Sequence, residues 1–414
     1  MQRIMTSPRA DWQTVVESQG LLFHSVDGQP YWDESAYYLF EASEVDQIEE
    51  ATAQLNAMCL EAVGEILARG WLGEMDIPEE YHAFVAESWE RDEHTIYGRF
   101  DLAFDGSGPP RLLEYNADTP TSLLEASVIQ WSWMRDLIGD PEGTAFDQFN
   151  SIHERLIEAW GRVRRERGKR VAFAVQEDQV EDAMTVAYLR DTAIQGGMEA
   201  LTMAIDQIGW HRGRGVFTDL RERPLDLVFK LYPWEWMLRE AFGPCLPHGG
   251  TRWLEPPWKM VLSNKAILPI LDEMFPDSPY LLSAGFEPID GDFVIKPFFS
   301  REGANVTIVR DGQAVVATDG DYGGGRVIYQ EYAPLAEFQG RHAVVGSWMV
   351  NGHACGMGIR EDSGPITTNI SRFVPHLFRT DKSAKPPAFG AKNKPTMGMP
   401  PRQSPLWDDL IDGP

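Results

Sequence analysis

Four polar residues with the spacing of paired strands are the strongest candidates for chemistry in this sequence. Arg99 and Asp101 lie two residues apart, and so do Glu114 and Asn116, with the turn-rich segment 105–110 between the two pairs. Alternate residues of a strand project to the same face. A hairpin centred on this turn places Asp101 opposite Glu114 and Arg99 opposite Asn116. The sequence therefore predicts one surface that carries all four side chains.

These side chains suit a magnesium site beside a phosphoryl group. The carboxylates of Asp101 and Glu114 and the amide oxygen of Asn116 are hard oxygen ligands, which Mg²⁺ prefers while it keeps other positions for water and phosphate. Arg99 would neutralise a phosphoryl group that passes between them. The four residues alone also allow a solvent-facing hairpin with a cross-strand ion pair.

Two lysines later in the chain could bind the phosphates of a nucleotide. Lys296 falls near the end of the apolar segment 293–297, just before a segment of mostly small residues at 300–305, and Lys265 precedes it by 31 positions. Ammonium groups would neutralise phosphate charge, and backbone N–H groups of the loop would surround the oxygens. An ordinary β-turn beside a lysine that extends into solvent is the alternative.

These motifs, in this order, resemble those of the glutathionylspermidine synthetase family. The run Leu-Leu-Glu-Tyr-Asn-Ala-Asp-Thr-Pro-Thr-Ser-Leu-Leu-Glu-Ala at 112–126 resembles the family's metal- and substrate-binding segment, in which Arg-x-Asp precedes Glu-x-Asn-Ala-Asp. The lysine segments, Tyr-Gln-Glu-Tyr at 329–332 and Cys-Gly-Met-Gly-Ile-Arg at 355–360 extend the resemblance, which covers about residues 10–380. It implies an ATP-grasp fold of α/β and α+β elements with an N-terminal pre-ATP-grasp-type region.

The resemblance also implies a reaction, in which MgATP phosphorylates a carboxylate and an amine attacks the acyl phosphate to give an amide. It assigns Asp101, Glu114 and Asn116 to magnesium, Lys265, Lys296, Ser300, Gly303, Ala304, Asn305, Gln330, Glu331 and Tyr332 to ATP, and Arg99 and Arg360 to the transferring phosphoryl group. Arg360 could equally be a surface charge. No covalent nucleophile is required, so the three cysteines are expected to be dispensable.

The substrate residues follow from the same resemblance. They are Asp118, Thr119, Thr121 and Ser122 for the acid, and Glu181 and Asp182 for the amine. Two adjacent carboxylates attract an ammonium group, although the first turn of a helix favours the same residues. The segment 118–123 departs from the family, which usually has polar and cysteine-bearing residues there. This departure allows an acid substrate other than glutathione.

Apolar periodicity predicts the elements that must position these residues. The first part of the chain combines helices with strands at 97–104, 111–117, 170–175 and 225–231, and its middle alternates α and β. The later part reads as an antiparallel α+β lobe. The predicted helices are 36–70, 122–167, 180–195 and 262–275, and the predicted later strands are 293–297, 306–310, 314–318, 327–332, 342–350 and 353–359.

The domain organisation predicted from this pattern has three regions. Residues 1–255 form a pre-ATP-grasp and substrate-binding region that includes the metal-binding hairpin at 97–118, and residues 256–380 form the nucleotide-binding lobe. Residues 381–414 are rich in proline and form a peripheral arm that cannot bury a core.

Composition restricts the partners. The net charge is −26, from 63 Asp and Glu against 37 Lys and Arg, which argues against a nucleic-acid backbone as partner and suits a cationic or small molecule. Surface carboxylates that serve solubility explain the charge equally well. Neither an export signal nor a run of about 20 apolar residues is present, and the cysteines are few and scattered, so we expect a cytoplasmic protein without membrane contact.

Three functions remain open at this point. The first is a glutathionylspermidine synthetase-like ligase without the fused amidase domain of some family members, acting on a peptide such as glutathione and a polyamine. The second is a ligase for another acid and amine, as the divergent segment 118–123 suggests. The third is an ATP-binding regulatory protein without turnover. One observation argues against this third function, because every charged position needed for phosphoryl transfer is filled.

Overall fold

The structure, a computed structural model, describes residues 1–26, 28–176 and 178–388. Residues 389–414 of the predicted arm lie outside the described residues. The α-helices, in chain order, are α1 (Trp12–Ser18), α2 (Ala42–Arg69), α3 (His82–Glu90), α4 (Gln130–Ile138), α5 (Ile152–Arg167), α6 (Val180–Gln195), α7 (Trp234–Met237) and α8 (Ile267–Met274). Short 3₁₀ turns cover Trp71–Met75, Glu79–Tyr81, Ile205–Gln207, Gly243–His248 and Pro257–Met260, and a π-helical turn covers Glu125–Ile129. Within the described part of the chain, no helix has the length and apolar composition needed to cross a membrane.

The strands are distributed over several sheets. In chain order they are β1 (Gln2–Met5), β2 (Ser25–Val26), β3 (Gln29–Pro30), β4 (Ala36–Glu41), β5 (Tyr97–Ala103), β6 (Arg111–Asn116), β7 (Phe146–Asp147), β8 (Arg170–Val175), β9 (Glu199–Ala204), β10 (Gly209–His211), β11 (Val216–Thr218), β12 (Leu227–Leu231), β13 (Arg252–Leu254), β14 (Ala284–Gly285), β15 (Phe293–Pro297), β16 (Thr307–Arg310), β17 (Gln313–Ala317), β18 (Val327–Glu331), β19 (Ala336–Phe338), β20 (Arg341–Val350), β21 (His353–Asp362), β22 (Arg372–Val374) and β23 (His376–Arg379).

The hairpin β5–β6 lies at one end of the central sheet, whose order is β22-β21-β20-β5-β6. The predicted pairing is confirmed, because Arg99 lies opposite Asn116 and Asp101 opposite Glu114. Nearer the turn, a β-bulge shifts the register by one residue, so that Leu102 pairs with Leu112. The turn-centred register in the sequence analysis did not include this bulge.

The buried underside of the hairpin explains why its polar residues face the other way. Phe100 and Tyr115 stack with ring centroids 3.8 Å apart and belong to one hydrophobic core, together with Leu102. A Cβ on Gly98 would lie 2.6 Å from the Tyr115 hydroxyl oxygen, so only glycine fits beneath this ring. A one-residue slip would exchange the buried and polar faces. The packing therefore fixes the orientation of Arg99.

Two further sheets complete the frame of the site. The antiparallel sheet β14-β18-β15-β16-β17 carries the later lysine, and the parallel sheet β13-β12-β8-β9 is covered by α5 and α6. The remaining larger sheet has the order β1-β4-β23-β7. The alternating α/β pattern predicted for the middle of the chain is confirmed by β8, α6 and β12. Most predicted strands agree with the structure within three residues.

Three of the predicted helices were wrong in extent. The helix predicted at 262–275 spans only Ile267–Met274, because residues 261–266 form turns and bends. The first six residues of 36–70 form β4, because this run of aromatic and aliphatic residues is buried on both faces. Helix α2 then starts at a capping box formed by Glu41 and Glu44, and it ends at Gly70 with φ 69°, as predicted. The stretch 122–167 is broken after α4 at Gly139, whose φ of 77° ends the helix.

Candidate active site

The polar face of the hairpin forms a connected group of side chains. Arg99 donates to both carboxylate oxygens of Asp101, at 2.6 and 3.0 Å. The Asn116 amide donates to Asp101 Oδ2 at 3.1 Å and to Glu114 Oε1 at 3.2 Å. Burial opposes the charged form of Arg99, but the Asp101 carboxylate raises the pKa of the guanidinium above its usual value. The predicted quartet is therefore one ionised cluster.

The two lysines meet this cluster from the other side of a cleft. Lys265 Nζ lies 3.0 Å from Glu114 Oε2. Although burial acts in the opposite direction, Lys265 and Lys296 lower the pKa of the Glu114 carboxyl to about 2. Burial and the charge of Lys265 lower the pKa of the Lys296 ammonium to about 8, whereas the charge of Glu114 acts in the opposite direction.

The β-bulge of the hairpin contributes directly to this arrangement. Leu113, the extra residue of the bulge, has a carbonyl oxygen that accepts a hydrogen bond from Lys296 Nζ at 2.9 Å. Gln330 Oε1 accepts a second one at 2.7 Å, while Gln330 Nε2 donates to Leu112 O. The Gln330 side chain is buried and therefore orients Lys296, a contact that the sequence did not predict.

A cleft of about 750 Å³ lies between the hairpin and the β14–β18 sheet. Its walls combine apolar side chains with the charged group described above, which is the lining that a base and its phosphates require. The residues predicted for ATP that line it are Lys265, Lys296, Ser300, Gly303, Gln330, Glu331 and Tyr332, and its apolar walls include Val294, Ile308, Leu335 and Val344.

Two residues predicted for ATP contact a neighbouring loop. Asn305 has φ 53°, and its Oδ1 accepts a hydrogen bond from Tyr322 N at 2.7 Å. A Cβ on Gly320 would lie 2.6 Å from the Ala304 side chain. Ala304 and Asn305 thus hold the glycine-rich segment 320–325 against the loop that carries Gly303.

The segment that follows the hairpin is held by protein contacts at each predicted substrate residue. Asp118 is 1% exposed, and its two oxygens accept from Lys230 Nζ at 2.6 Å and from Trp234 N at 3.0 Å. Thr121 O accepts from Arg99 Nη1 at 2.7 Å. The geometry thus gives Asp118 a role in positioning the segment, whereas the sequence analysis had placed it among the substrate ligands.

Thr119 and Ser122, like Asp118, have side-chain partners from distant segments. Thr119 Oγ1 accepts from Arg301 Nη1 at 2.6 Å, and the same arginine pairs with Glu235 at 2.8 Å. Ser122 Oγ forms a 2.8 Å hydrogen bond with Tyr31 Oη. The sequence analysis missed Arg301, although it stands in the quoted loop, because a lone charged loop residue carries no signal of its own.

Four carboxylates gather beside this segment. Glu302 is exposed, Glu181 and Asp182 on the first turn of α6 are partly buried, and Glu125 is 2% exposed. Burial and the charge of Glu181 raise the pKa values of Asp182 and Glu125 to about 7 and also raise that of Glu302. We refer to these four residues as the acidic cluster. The charge of Arg360 opposes the rise in the pKa of Glu125, a member of this cluster, and the Arg360 guanidinium donates to Thr368 O. Arg360 therefore lies near the acidic cluster.

The cysteines show no sign of nucleophilic activation. Cys59 and Cys355 are buried, and burial raises the pKa of the Cys59 thiol to about 12. Burial also raises the pKa of Cys355. An activated nucleophile needs a depressed pKa.

The sequence as a whole matches a known family. Residues 3–379 match the model of the glutathionylspermidine synthase preATP-grasp family. The chain belongs to this family. It is 38% identical over 367 residues to the Haemophilus influenzae protein named "Putative acid--amine ligase", covering 86% of this chain and 92% of that one. It is 30% identical over 339 residues to trypanothione synthetase of Crithidia fasciculata, covering 75% of this chain and 51% of that protein's length.

A solved structure supports the fold assignment. A glutathione synthetase-like effector from Globodera pallida superposes with a TM-score of 0.54 at 11% identity, covering 89% of this chain and 98% of that one. This likeness and the family match confirm the mixed α/β, ATP-grasp fold predicted from the sequence. Membership of the glutathionylspermidine synthase family also confirms the predicted enzyme class, an ATP-dependent carbon–nitrogen ligase.

Proposed function

We propose that this member of the family joins the carboxylate of a small peptide-like acid to a polyamine-like amine through an acyl phosphate. The proposal depends most on one contact, the 3.0 Å distance between Lys265 Nζ and Glu114 Oε2. In this contact a lysine of the nucleotide-type cleft meets a carboxylate of the hairpin. Phosphoryl transfer requires positioned cations and oxygen ligands around the same phosphate. The oxygen ligands come from the hairpin, and the cations come from β15 and from the turn before α8.

The lining of the cleft supports one orientation of ATP. The base would lie between the apolar walls near Glu331 and Tyr332, with its phosphates toward Lys265 and Lys296. Two ammonium groups neutralise the charge that the transferring phosphoryl group carries. Arg99, held by Asp101 at the end of the cleft, is placed to stabilise the same charge.

The donor set of the hairpin fits magnesium. Asp101 and Glu114 supply carboxylate oxygens, and Asn116 would add its amide oxygen after rotation of the amide, whose nitrogen faces both carboxylates in this structure. Within the described residues, no group of three or more His, Cys, Asp or Glu side chains forms an alternative metal site. Magnesium binds few protein oxygens and keeps places for nucleotide phosphates. When bound, it would neutralise phosphate charge and align the terminal phosphate.

The acidic cluster supports an amine as the second substrate. Its carboxylates range from exposed, at Glu302, to buried, at Glu125. Their negative charge favours a cation that approaches from the exposed side. The net charge of −26 attracts the same kind of ligand. An acid other than glutathione remains the second candidate, because the segment 118–123 differs from the family pattern.

ADP release tests this function. Purified protein is incubated with MgATP and a panel of carboxylates and amines that includes glutathione and spermidine, and products are identified by mass spectrometry. We expect ADP and an amide with at least one acid–amine pair, no more than about one ADP per enzyme molecule when the amine is omitted, and no ADP when EDTA is added. ATP binding without ADP release for every pair would favour a regulatory protein instead.

Gly303 provides a separate test of the nucleotide cleft. Its φ is 71°, and a Cβ would lie 2.5 Å from Thr367 O, so Gly303→Ala displaces the loop from this wall of the cleft. We expect the dissociation constant of MgATP, measured by calorimetry, to rise roughly tenfold, as about 1.4 kcal/mol of strain implies. Gly312 has φ 73° but no atom within 4 Å of a Cβ. Gly312→Ala is therefore the matched control, and equal effects of both variants would contradict the assignment.

A further inference from the structure

We propose that Glu125 accepts the proton of the amine substrate as the amide bond forms. This inference rests on the proposed ligase function and assigns a role to Glu125, a residue of the family-like run to which the resemblance gave no role. The nucleophile in an acid–amine ligase must lose a proton during attack, so a nearby carboxylate of suitable basicity accelerates the step.

The first argument is the state of the Glu125 carboxyl group. The residue is 2% exposed, and its Oε1 is buried without a hydrogen-bond partner among the described residues. Buried polar oxygens normally have partners, and an exception calls for an explanation in terms of function or ligand. The other members of the acidic cluster are more exposed. Glu125 is thus the most deeply buried member of the acidic cluster.

The second argument is the local backbone. Glu125 opens a π-helical turn, Glu125–Ile129, directly before α4. Such turns are rare and occur frequently at functional sites. Here the turn follows Ser122, which has φ 66°. The wide turn and the left-handed residue together set the direction of the Glu125 side chain.

The third argument is the connection to the phosphoryl end of the cleft. Arg99 Nη1 donates to Thr121 O at 2.7 Å, and Ser122 Oγ bonds Tyr31 Oη at 2.8 Å. Tyr31 also acts on the Glu125 carboxyl. Residues 121–125 thus connect Arg99, which is proposed to act on the phosphoryl group, to Glu125, which would receive the proton. Hydrogen bonds at Thr121 and Ser122 hold this segment in place.

The proton balance of the step is complete with these groups. The lone pair of the amine nitrogen forms a C–N bond to the acyl carbon of the acyl phosphate. The C–O bond to phosphate breaks, and its electron pair leaves with inorganic phosphate. The substrate enters as an ammonium ion and loses two protons in all. The first passes to the Glu125 carboxylate and on to solvent, which frees the lone pair, and the second leaves the nitrogen with the departing phosphate as hydrogen phosphate. No oxidant or further reactant is needed.

The groups that face Glu125 set the pH at which it can act. They are Tyr31, Glu181 on α6 and Arg360 on β21. Burial and the charge of Glu181 raise the pKa of Glu125 to about 7, whereas Arg360 opposes this change. The carboxylate form is present above this pH. The rate of amide formation should therefore rise with pH through about 7.

The decisive experiment compares two nucleophiles in wild-type protein and Glu125→Gln. Hydroxylamine is uncharged near neutral pH and attacks acyl phosphates without a protein base, so hydroxamate formation reports acyl phosphate synthesis alone. With the best acid–amine pair from the ADP-release panel, we expect Glu125→Gln to lower kcat for the amide by about 100-fold. Hydroxamate formation with the same acid should be unchanged. Glu125→Asp should restore part of the amide rate.

Asp182→Asn is the matched control, because the pKa of Asp182 is also raised to about 7. Because Asp182 belongs to the proposed amine site, this variant should raise KM for the amine but keep the rise of kcat through pH 7, whereas Glu125→Gln should lose that rise. Equal losses of amide and hydroxamate in Glu125→Gln would show a structural role and overturn the proposal, as would an unchanged amide rate. Wild-type protein that forms neither product with any acid would instead reject the ligase function itself.

Discussion

Glu114→Gln is expected to lower ADP release by roughly a thousandfold, because several kcal/mol of charge stabilisation at the phosphoryl group depend on this carboxylate. The substitution keeps the size of the side chain but removes the charge that lies 3.0 Å from Lys265. Steady-state ADP release at saturating MgATP measures the effect.

The same variant should remain folded. Glu114 lines an open cleft, so the free energy of unfolding from urea titration should change by less than about 1 kcal/mol. Glu337→Gln, on β19 of the same central sheet, is the control that removes an exposed carboxylate outside the cleft. Wild-type turnover in Glu114→Gln would eliminate the hairpin as the magnesium site.

The second large effect concerns stability. Lys230→Met should lower the free energy of unfolding by about 3–5 kcal/mol, because it leaves the buried Asp118 carboxylate without its charged partner. Both side chains are fully buried, and their 2.6 Å contact joins β12 to the segment after the hairpin. Burial lowers the pKa of Lys230, and Asp118 opposes this change.

Urea unfolding at neutral pH measures this loss. Arg155→Met breaks a solvent-exposed pair with Glu158 and is the control, for which we expect little change. A double variant, Lys230→Met with Asp118→Asn, should recover part of the lost stability because no unpaired charge remains. A loss no larger than that of the exposed pair would mean that the Asp118–Lys230 contact does not hold the segment in solution.

The sequence predicted the hairpin well because its signals are local. Turn residues, strict alternation and two polar pairs were enough to place Asp101 opposite Glu114. The bulge at Leu113 was missed, since one extra residue leaves the alternation on either side nearly intact. Its consequence is large, because the bulge carbonyl binds Lys296.

The contacts between distant segments could not be predicted. Tyr31 meets Ser122 across 91 positions, and Arg301 meets Thr119 across 182. Periodicity and turn chemistry report neighbours along the chain and say nothing about such pairs. The buried state of Glu125 was hidden for the same reason, since it depends on how α6 and β21 pack around it.

The division of the site between two sheets has a mechanical consequence. Asp101 and Glu114 move with the ladder that includes β20, whereas Lys296 moves with β15, and few covalent connections constrain the angle between them. A rotation of one ladder relative to the other changes the separation between the Glu114 carboxylate and the two lysines. Opening and closing of the enzyme would then be governed by electrostatic attraction across the gap, so the rate of product escape should increase with ionic strength.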